Sequence, residues 1–130
     1  MSMQRRVDVL CVGHAAYDLS FAVERHLGPD EKLFAGALIS CGGGPAANAA
    51  VTVVRLGYTA AFAGHLGHDV HGQLHCAELA SEGVDTGWVA RSEMPTPVSA
   101  IIIKPDGARA LVCHKGATRP LPADAIDLAN

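Results

Sequence analysis

Residues 41–50 read Cys41-Gly42-Gly43-Gly44-Pro45-Ala46-Ala47-Asn48-Ala49-Ala50, a glycine run that opens onto a small, apolar helix. Three consecutive glycines let the backbone turn sharply and let another molecule approach it closely. Pro45 suits the first helical position, where its missing N–H is no loss, and Gly57 stands where a C-terminal glycine stop belongs. Between them only Asn48, Thr52 and Arg55 are strongly polar. The pattern predicts a helix over 45–56, covered on most sides, with its N-terminal end turned toward a polar or anionic ligand. The competing reading is a helix whose small residues pack closely on a sheet. Asn48 weighs most here, because a buried amide must find partners, either a ligand or the loop after the strand at 7–12.

The chain has 130 residues, enough for one domain or part of one. A hydrophobic content of 49% suits a sheet covered on both faces, or apolar surface that meets a partner. A net charge of −3 gives no footprint for nucleic acid. No apolar run approaches the ~20 residues of a membrane span, and the N-terminus has no signal-peptide pattern. Cys11, Cys41, Cys76 and Cys113 are widely separated, with no CxxC or metal spacing, and read as reduced, mostly buried thiols of a cytoplasmic protein.

Working outward, 7–12 is a β-branched run ending at Gly13, read as a buried parallel strand followed by a loop to Asp18. Residues 59–66 and 84–90 read as further strands. Residues 69–82 carry apolar residues near helical spacing, with Asp69 as N-cap and Gly83 as stop. A hairpin is predicted over 98–113, turning at Pro105-Asp106-Gly107. The alternation implies an α/β fold with a parallel sheet flanked by helices. The hairpin and the 32–40 segment break that rhythm and suggest a second, small antiparallel layer. Residues 120–130 read as a linker and an incipient helix, so the chain is expected to be the N-terminal part of a longer protein.

The run Gly43-Gly44-Pro45-Ala46-Ala47-Asn48-Ala49-Ala50, with Gly57 and Gly67 following at set spacings, resembles the N-terminal signature of the PfkB, or ribokinase-like, carbohydrate kinases. Gly13 followed by Asp18 resembles that family's first substrate loop. Gly67-His68-Asp69-Val70-His71-Gly72 resembles its G-x-D-x-x-G turn, the 98–113 hairpin resembles its lid strands, and Lys115-Gly116-Ala117-Thr118 stands near its Gly-Ala-Asn segment.

The resemblance implies a ribokinase-like fold with a β lid over 32–40 and 98–113, spanning residues 1–130. It implies transfer of the γ-phosphoryl of ATP to a hydroxyl of a small sugar, with Mg2+ assisting. Carried over, Asp18 accepts hydrogen bonds from sugar hydroxyls, Gly43 and Gly44 let the sugar reach the backbone, and Asn48 bonds another hydroxyl. Ala100 and Ile102, alternating on one lid strand, cover the sugar's apolar side. Lid strands with exposed edges tend to pair, so a homodimer through the β lid is expected.

Two departures bear on the substrate. Ribokinases carry Lys-Gly-Ala-Asn after the glycine pair, where this chain reads Pro45-Ala46-Ala47-Asn48, and an asparagine where it has Ala16. Ribose therefore fits less well than a fructose-like sugar. The family's second signature, a Gly-Ala-Gly-Asp segment bearing the base aspartate and the nucleotide site, does not occur in the chain. The base is expected beyond Asn130, and the 130 residues alone are expected to be inactive.

A nucleoside acceptor and a non-catalytic sugar-binding module remain as alternatives. A dinucleotide-binding oxidoreductase does not fit, since no G-x-G-x-x-G follows the first strand. His65, His68, His71 and His75 invite a metal reading, but Gly67 and Gly72 break their register, and solvated or helix-end histidines are expected instead.

Overall fold

The computed structural model describes residues 6–128. The chain runs through β1 (Val9–Val12), β2 (Ala16–Ala22), β3 (Ala37–Gly43), α1 (Pro45–Arg55) and β4 (Ala60–Gly67). It continues through α2 (Val70–Ser81), β5 (Asp85–Ser92), β6 (Val98–Ile103), β7 (Arg109–His114) and a 3-10 turn at Ala123–Ala125.

Two sheets result. The body is parallel, in the order β1-β4-β5, with Cys11 beside Phe62 and His65 beside Ala90. The second sheet, the lid, has the order β3-β2-β6-β7. Within it β2 and β3 are antiparallel, β2 and β6 parallel, and β6 and β7 antiparallel. The α/β class and the separate small layer match expectation, but that layer is mixed rather than purely antiparallel.

Three boundaries differ from the sequence reading. Residues 16–22 form a strand where a loop to Asp18 was expected, so Asp18 lies inside the lid sheet. The strand expected over 32–40 begins at Ala37 and runs into the glycines as far as Gly43. Residues 120–128 hold only the short 3-10 turn where an incipient helix was expected.

Both helices stop where their glycines predict. At the end of α1, Gly57 takes φ 94°, its N–H bonds Val54 O and the Tyr58 N–H bonds Val53 O. At the end of α2, Gly83 takes φ 92°, with Gly83 N–H to Ala80 O and Val84 N–H to Leu79 O. Each is a Schellman closure, which uses carbonyls the helix end would leave bare. Leu79 and Val84 are both buried, supplying the apolar contact that accompanies it.

The core is built from Phe62, Leu66 and Leu79 with small residues around them. Ala47 and Ala50 are the buried residues of α1 and let it lie close to β1 and β4. Its other side, including Pro45, Asn48, Ala49 and Thr52, is exposed. The expectation of a helix covered on most sides is therefore corrected: one small-residue stripe packs and the rest faces out.

Asp69 caps α2 and does more. Its carboxylate accepts from Gly72 N–H at 2.8 Å, from Thr96 N–H at 2.8 Å and from Thr96 Oγ1 at 2.6 Å. Thr96, 1% exposed, in turn accepts from Gly67 N–H at 2.9 Å through Oγ1. This network fastens the body's turn to the segment that climbs into β6. Burial works to raise the Asp69 pKa, but the bonds from Thr96 and Gly72 outweigh it and hold the carboxyl below its ordinary value.

Asp69→Ala removes a cap worth ~0.5–2 kcal/mol and strands buried Thr96 donors worth ~1–3 kcal/mol. A loss of about 2–4 kcal/mol is expected in denaturant melts at pH 7. Because the folded pKa is depressed, this contribution is present above the ordinary aspartate pKa and fades as pH falls through the folded value. The gap between variant and parent should close in strong acid. A gap independent of pH would contradict this role.

Candidate functional site

The lid rises from the body beside the glycine bend, and strand register decides which side chains share a face. Partners across a ladder point to the same side, and neighbours along a strand to opposite sides. One row across the four lid strands is Cys41, Asp18, Ser99 and Cys113, with Ser99 Oγ donating to Cys113 Sγ at 3.3 Å. Tyr17 and Gly42 lie on the other face, against α2: Tyr17 stacks on His71 with centroids 5.3 Å apart, and Gly42 backs onto the His75 ring. The root of the lid is thus held from behind by α2, with Asp18 in front.

Gly43 and Gly44 join this sheet to α1. The space a Cβ at Gly43 would occupy is taken by the Asp18 carboxylate. Gly44, at φ 97°, is the N-cap of α1, and a Cβ there would meet Ala15 Cα at 2.5 Å and His14 O at 2.6 Å. The bend therefore nests against the β1–β2 connection and carries the Asp18 carboxylate on its surface. Burial raises the Asp18 pKa above the ordinary carboxylate value, partly offset by nearby His75, Arg109 and His14.

Asn48 lies one turn into α1, its N–H bonded to Gly44 O at 2.9 Å. Its side chain is exposed and has no hydrogen-bond partner among the described residues. Neither the buried amide nor a bond to the β1 loop is found, and its donors and acceptor are available to a ligand. The helix end itself is less open than expected. Pro45 has no N–H, the Ala46 N–H donates to His14 O at 3.2 Å, and no side chain caps the end.

Ala100 and Ile102 require a correction. Ala100 pairs with Leu19, and Ile102 with Phe21, which places both on the Tyr17 face, opposite Asp18. They do not share a wall with that carboxylate. On the Asp18 face β6 presents Ser99, buried Ile101 and Ile103, the first two each one position before Ala100 and Ile102. Alternation alone could not choose between the two sets; the register with β2 does. The β2 strand itself was legible as Tyr17, Leu19 and Phe21 at period two.

The parallel strands place a cleft of about 220 Å³ at their carboxyl ends, lined in part by Gly13, His14, His65 and Thr118. Open α/β sheets bind ligands at this end. The 115–118 segment reaches it because the Ala117 N–H bonds Pro95 O at 2.7 Å and Gly116, at φ 47°, packs on Pro95. A larger cleft of about 460 Å³ lies at the opposite end of the strands, against Thr59, Ala60, Val84 and Asp85, away from the glycine bend.

The four histidines do not form a metal site; among the described residues no group of His, Cys, Asp and Glu is placed to hold a metal ion. His68 is exposed, as expected, but His75 is 2% exposed and lies in the core. The four cysteines carry free thiols, and Cys113 is exposed rather than buried. Among the described residues no helix is long and apolar enough to cross a membrane.

A small α/β body with a β lid, a glycine bend bearing a carboxylate and an open amide one turn on together define the architecture of a ribokinase-like fold. More specifically, the chain belongs to the pfkB family of carbohydrate kinases, whose family model matches residues 6–128. It is 31% identical over 122 residues to an ATP-dependent ribose-1-phosphate kinase of Halopiger xanaduensis, covering 93% of this chain and 41% of that protein. It is 35% identical over 95 residues to fructokinase-1 of Zea mays, covering 72% of this chain and 29% of that protein. Ribokinase of Arabidopsis thaliana, solved with ribose and ATP, superposes with a TM-score of 0.75 at 28% identity, covering 87% of this chain and 37% of that one. The chain thus spans well under half the length of these relatives.

Proposed function

We propose that this chain forms the acceptor-binding part of an ATP-dependent kinase acting on a small carbohydrate, with a fructose-like sugar as the favoured acceptor. One observation carries the reading: the Asp18 carboxylate occupies the Cβ space of Gly43, at the bend that leads within a turn to the open Asn48 amide. In this reading Asp18 accepts from sugar hydroxyls, Asn48 bonds another, and Gly43 and Gly44 admit the ring to the backbone. Ser99 and Ile101 take the covering role first expected of Ala100 and Ile102. A buried polyol needs such convergent groups because each polar atom left unpaired costs ~1–3 kcal/mol. The Gly42–Ala47 sequence and the likeness to a plant fructokinase support the fructose-like acceptor.

ATP with Mg2+ supplies the transferred phosphoryl group when bound. No residue described here is assigned to hold either, and in this reading the base aspartate belongs to a segment outside these 130 residues. Residues 1–130 alone should bind sugar and transfer no phosphoryl group. Calorimetric titration with fructose, ribose and nucleosides, run beside a phosphoryl-transfer assay, tests this. Turnover by the 130-residue chain well above background would disprove the inactivity, and the absence of sugar heat would disprove the site.

A homodimer through the β lid completes the proposal. Leu38, Ile39, Leu111 and Val112 on the outer lid strands are exposed, and Phe34 is 87% exposed beside an apolar groove of about 440 Å³. Unpaired strand edges with apolar side chains favour association. Light scattering that showed monomer at high concentration would count against it.

A further inference from the structure

We infer that His75 is a positioning residue for the acceptor site, holding the glycine bend from behind in the geometry that seats Asp18. The inference rests on the acceptor-site reading above and names the device that supports it.

The His75 Nε2 lies 3.0 Å from Gly43 O. A carbonyl only accepts, so Nε2 is the donor of this bond. The ring's Nδ1 is buried with no hydrogen-bond partner. A nearly buried imidazole with one bond and one orphaned nitrogen is a poor way to fill a core, where an aliphatic side chain would leave nothing unsatisfied. What the ring uniquely supplies is the grip on Gly43.

The surroundings are shaped to that ring. A Cβ at Gly42 would meet His75 Nδ1 and Cε1 at 2.5 Å, so the first glycine of the run makes room for it. One turn further along α2, Glu78 Oε2 accepts from the Gly42 N–H at 2.8 Å. Helix α2 therefore holds the bend by a donor at Gly42 and an acceptor at Gly43. Tyr17, adjacent to Asp18 in β2, meets the same ring edge-on with centroids 6.4 Å apart. Moving the ring shifts Gly43 on one side and the root of β2 on the other, the two elements that place the carboxylate.

This accounts for a residue the sequence reading left among solvated or helix-end histidines, and for the glycine at 42, which lies on the face opposite Asp18. The His75–Gly43 bond connects them.

The test uses protein expressed from the complete reading frame, assayed with fructose as acceptor. His75→Leu withdraws the donor and should raise the acceptor KM roughly tenfold, the worth of one buried hydrogen bond, with the ATP KM and saturating kcat little changed. His75→Asn, too short to reach Gly43, should do the same. His75→Gln can present an amide N–H where Nε2 stood and should restore the parent KM. A structural role alone would not give this split, nor the rescue by glutamine. If the parent enzyme phosphorylates fructose and the leucine and asparagine variants share its KM, the His75 proposal falls while the acceptor reading stands. If both variants fail to fold, His75 is a core residue and the proposal is likewise overturned. If the parent itself phosphorylates no sugar, the acceptor reading fails first and takes this proposal with it.

Discussion

Gly44→Ala should remove a large share of the fold's stability. At φ 97° an L-residue is strained by ~1–2 kcal/mol, and the new Cβ would meet Ala15 Cα, His14 O and Ala16 N, all backbone atoms and all within 2.9 Å. Backbone cannot rotate away as a side chain can, so the connection between β1 and β2 has to shift, adding ~1–3 kcal/mol. A total of about 2–5 kcal/mol is a large share of the ~5–15 kcal/mol that holds a typical domain. The melting temperature should fall by on the order of 10–20 °C. Gly57→Ala is the matched control: its φ is 94°, but nothing lies within 4 Å of the added Cβ. It should lose ~1 kcal/mol. Equal melting points for the two variants would show that the close approach at Gly44 contributes nothing.

Asp18→Asn should separate stability from binding. The neutral amide keeps the shape but loses charge-assisted hydrogen bonds worth ~1.5–3 kcal/mol, so sugar affinity should drop about 10- to 100-fold. Stability should move the other way. Burial raises the folded pKa of Asp18 above its unfolded value, so the folded state holds its proton more tightly. Stability therefore falls as pH rises from the ordinary aspartate value through the raised one. Asparagine does not titrate, and the variant should melt higher than the parent at neutral pH and alongside it in acid. The pair of measurements is thermal melts from pH 4 to pH 7 and a sugar titration at pH 7. A variant that bound sugar as the parent does would remove Asp18 from the site, and one that melted lower at pH 7 would contradict the raised pKa.

The punctuation of this fold was readable before any coordinates. Pro45 at the start of α1, Asp69 at the cap of α2 and the stops at Gly57 and Gly83 act within a few residues of themselves, through φ preferences and local hydrogen bonds. So the two helices and their ends could be placed along the chain, and the glycine bend could be singled out as a candidate ligand site. Asp69 shows the boundary of that legibility: its capping role was visible, while its two bonds from Thr96 join residues 27 apart in the chain.

The side chains around the site followed a different rule. Asn48 was read as buried and proves exposed, because the amphipathic side of α1 is defined by where β1 and β4 lie. Ala100 and Ile102 were expected to cover a sugar's apolar side and lie on the face opposite Asp18, because strand alternation fixes two faces without saying which is which. His75 was set among solvated or helix-end histidines and is sealed beneath Gly42, since burial of a helix residue depends on the strand that crosses it.

From the amino-acid order alone came the α/β class, the family likeness and the helix limits, all carried by short-range backbone chemistry. The tertiary structure alone decided the mixed lid sheet, the Asp18 face with Ser99 and Ile101, and the clamp of α2 on the bend. Those depend on pairing register and on packing between distant segments, where a shift of a single residue turns every side chain to the other side.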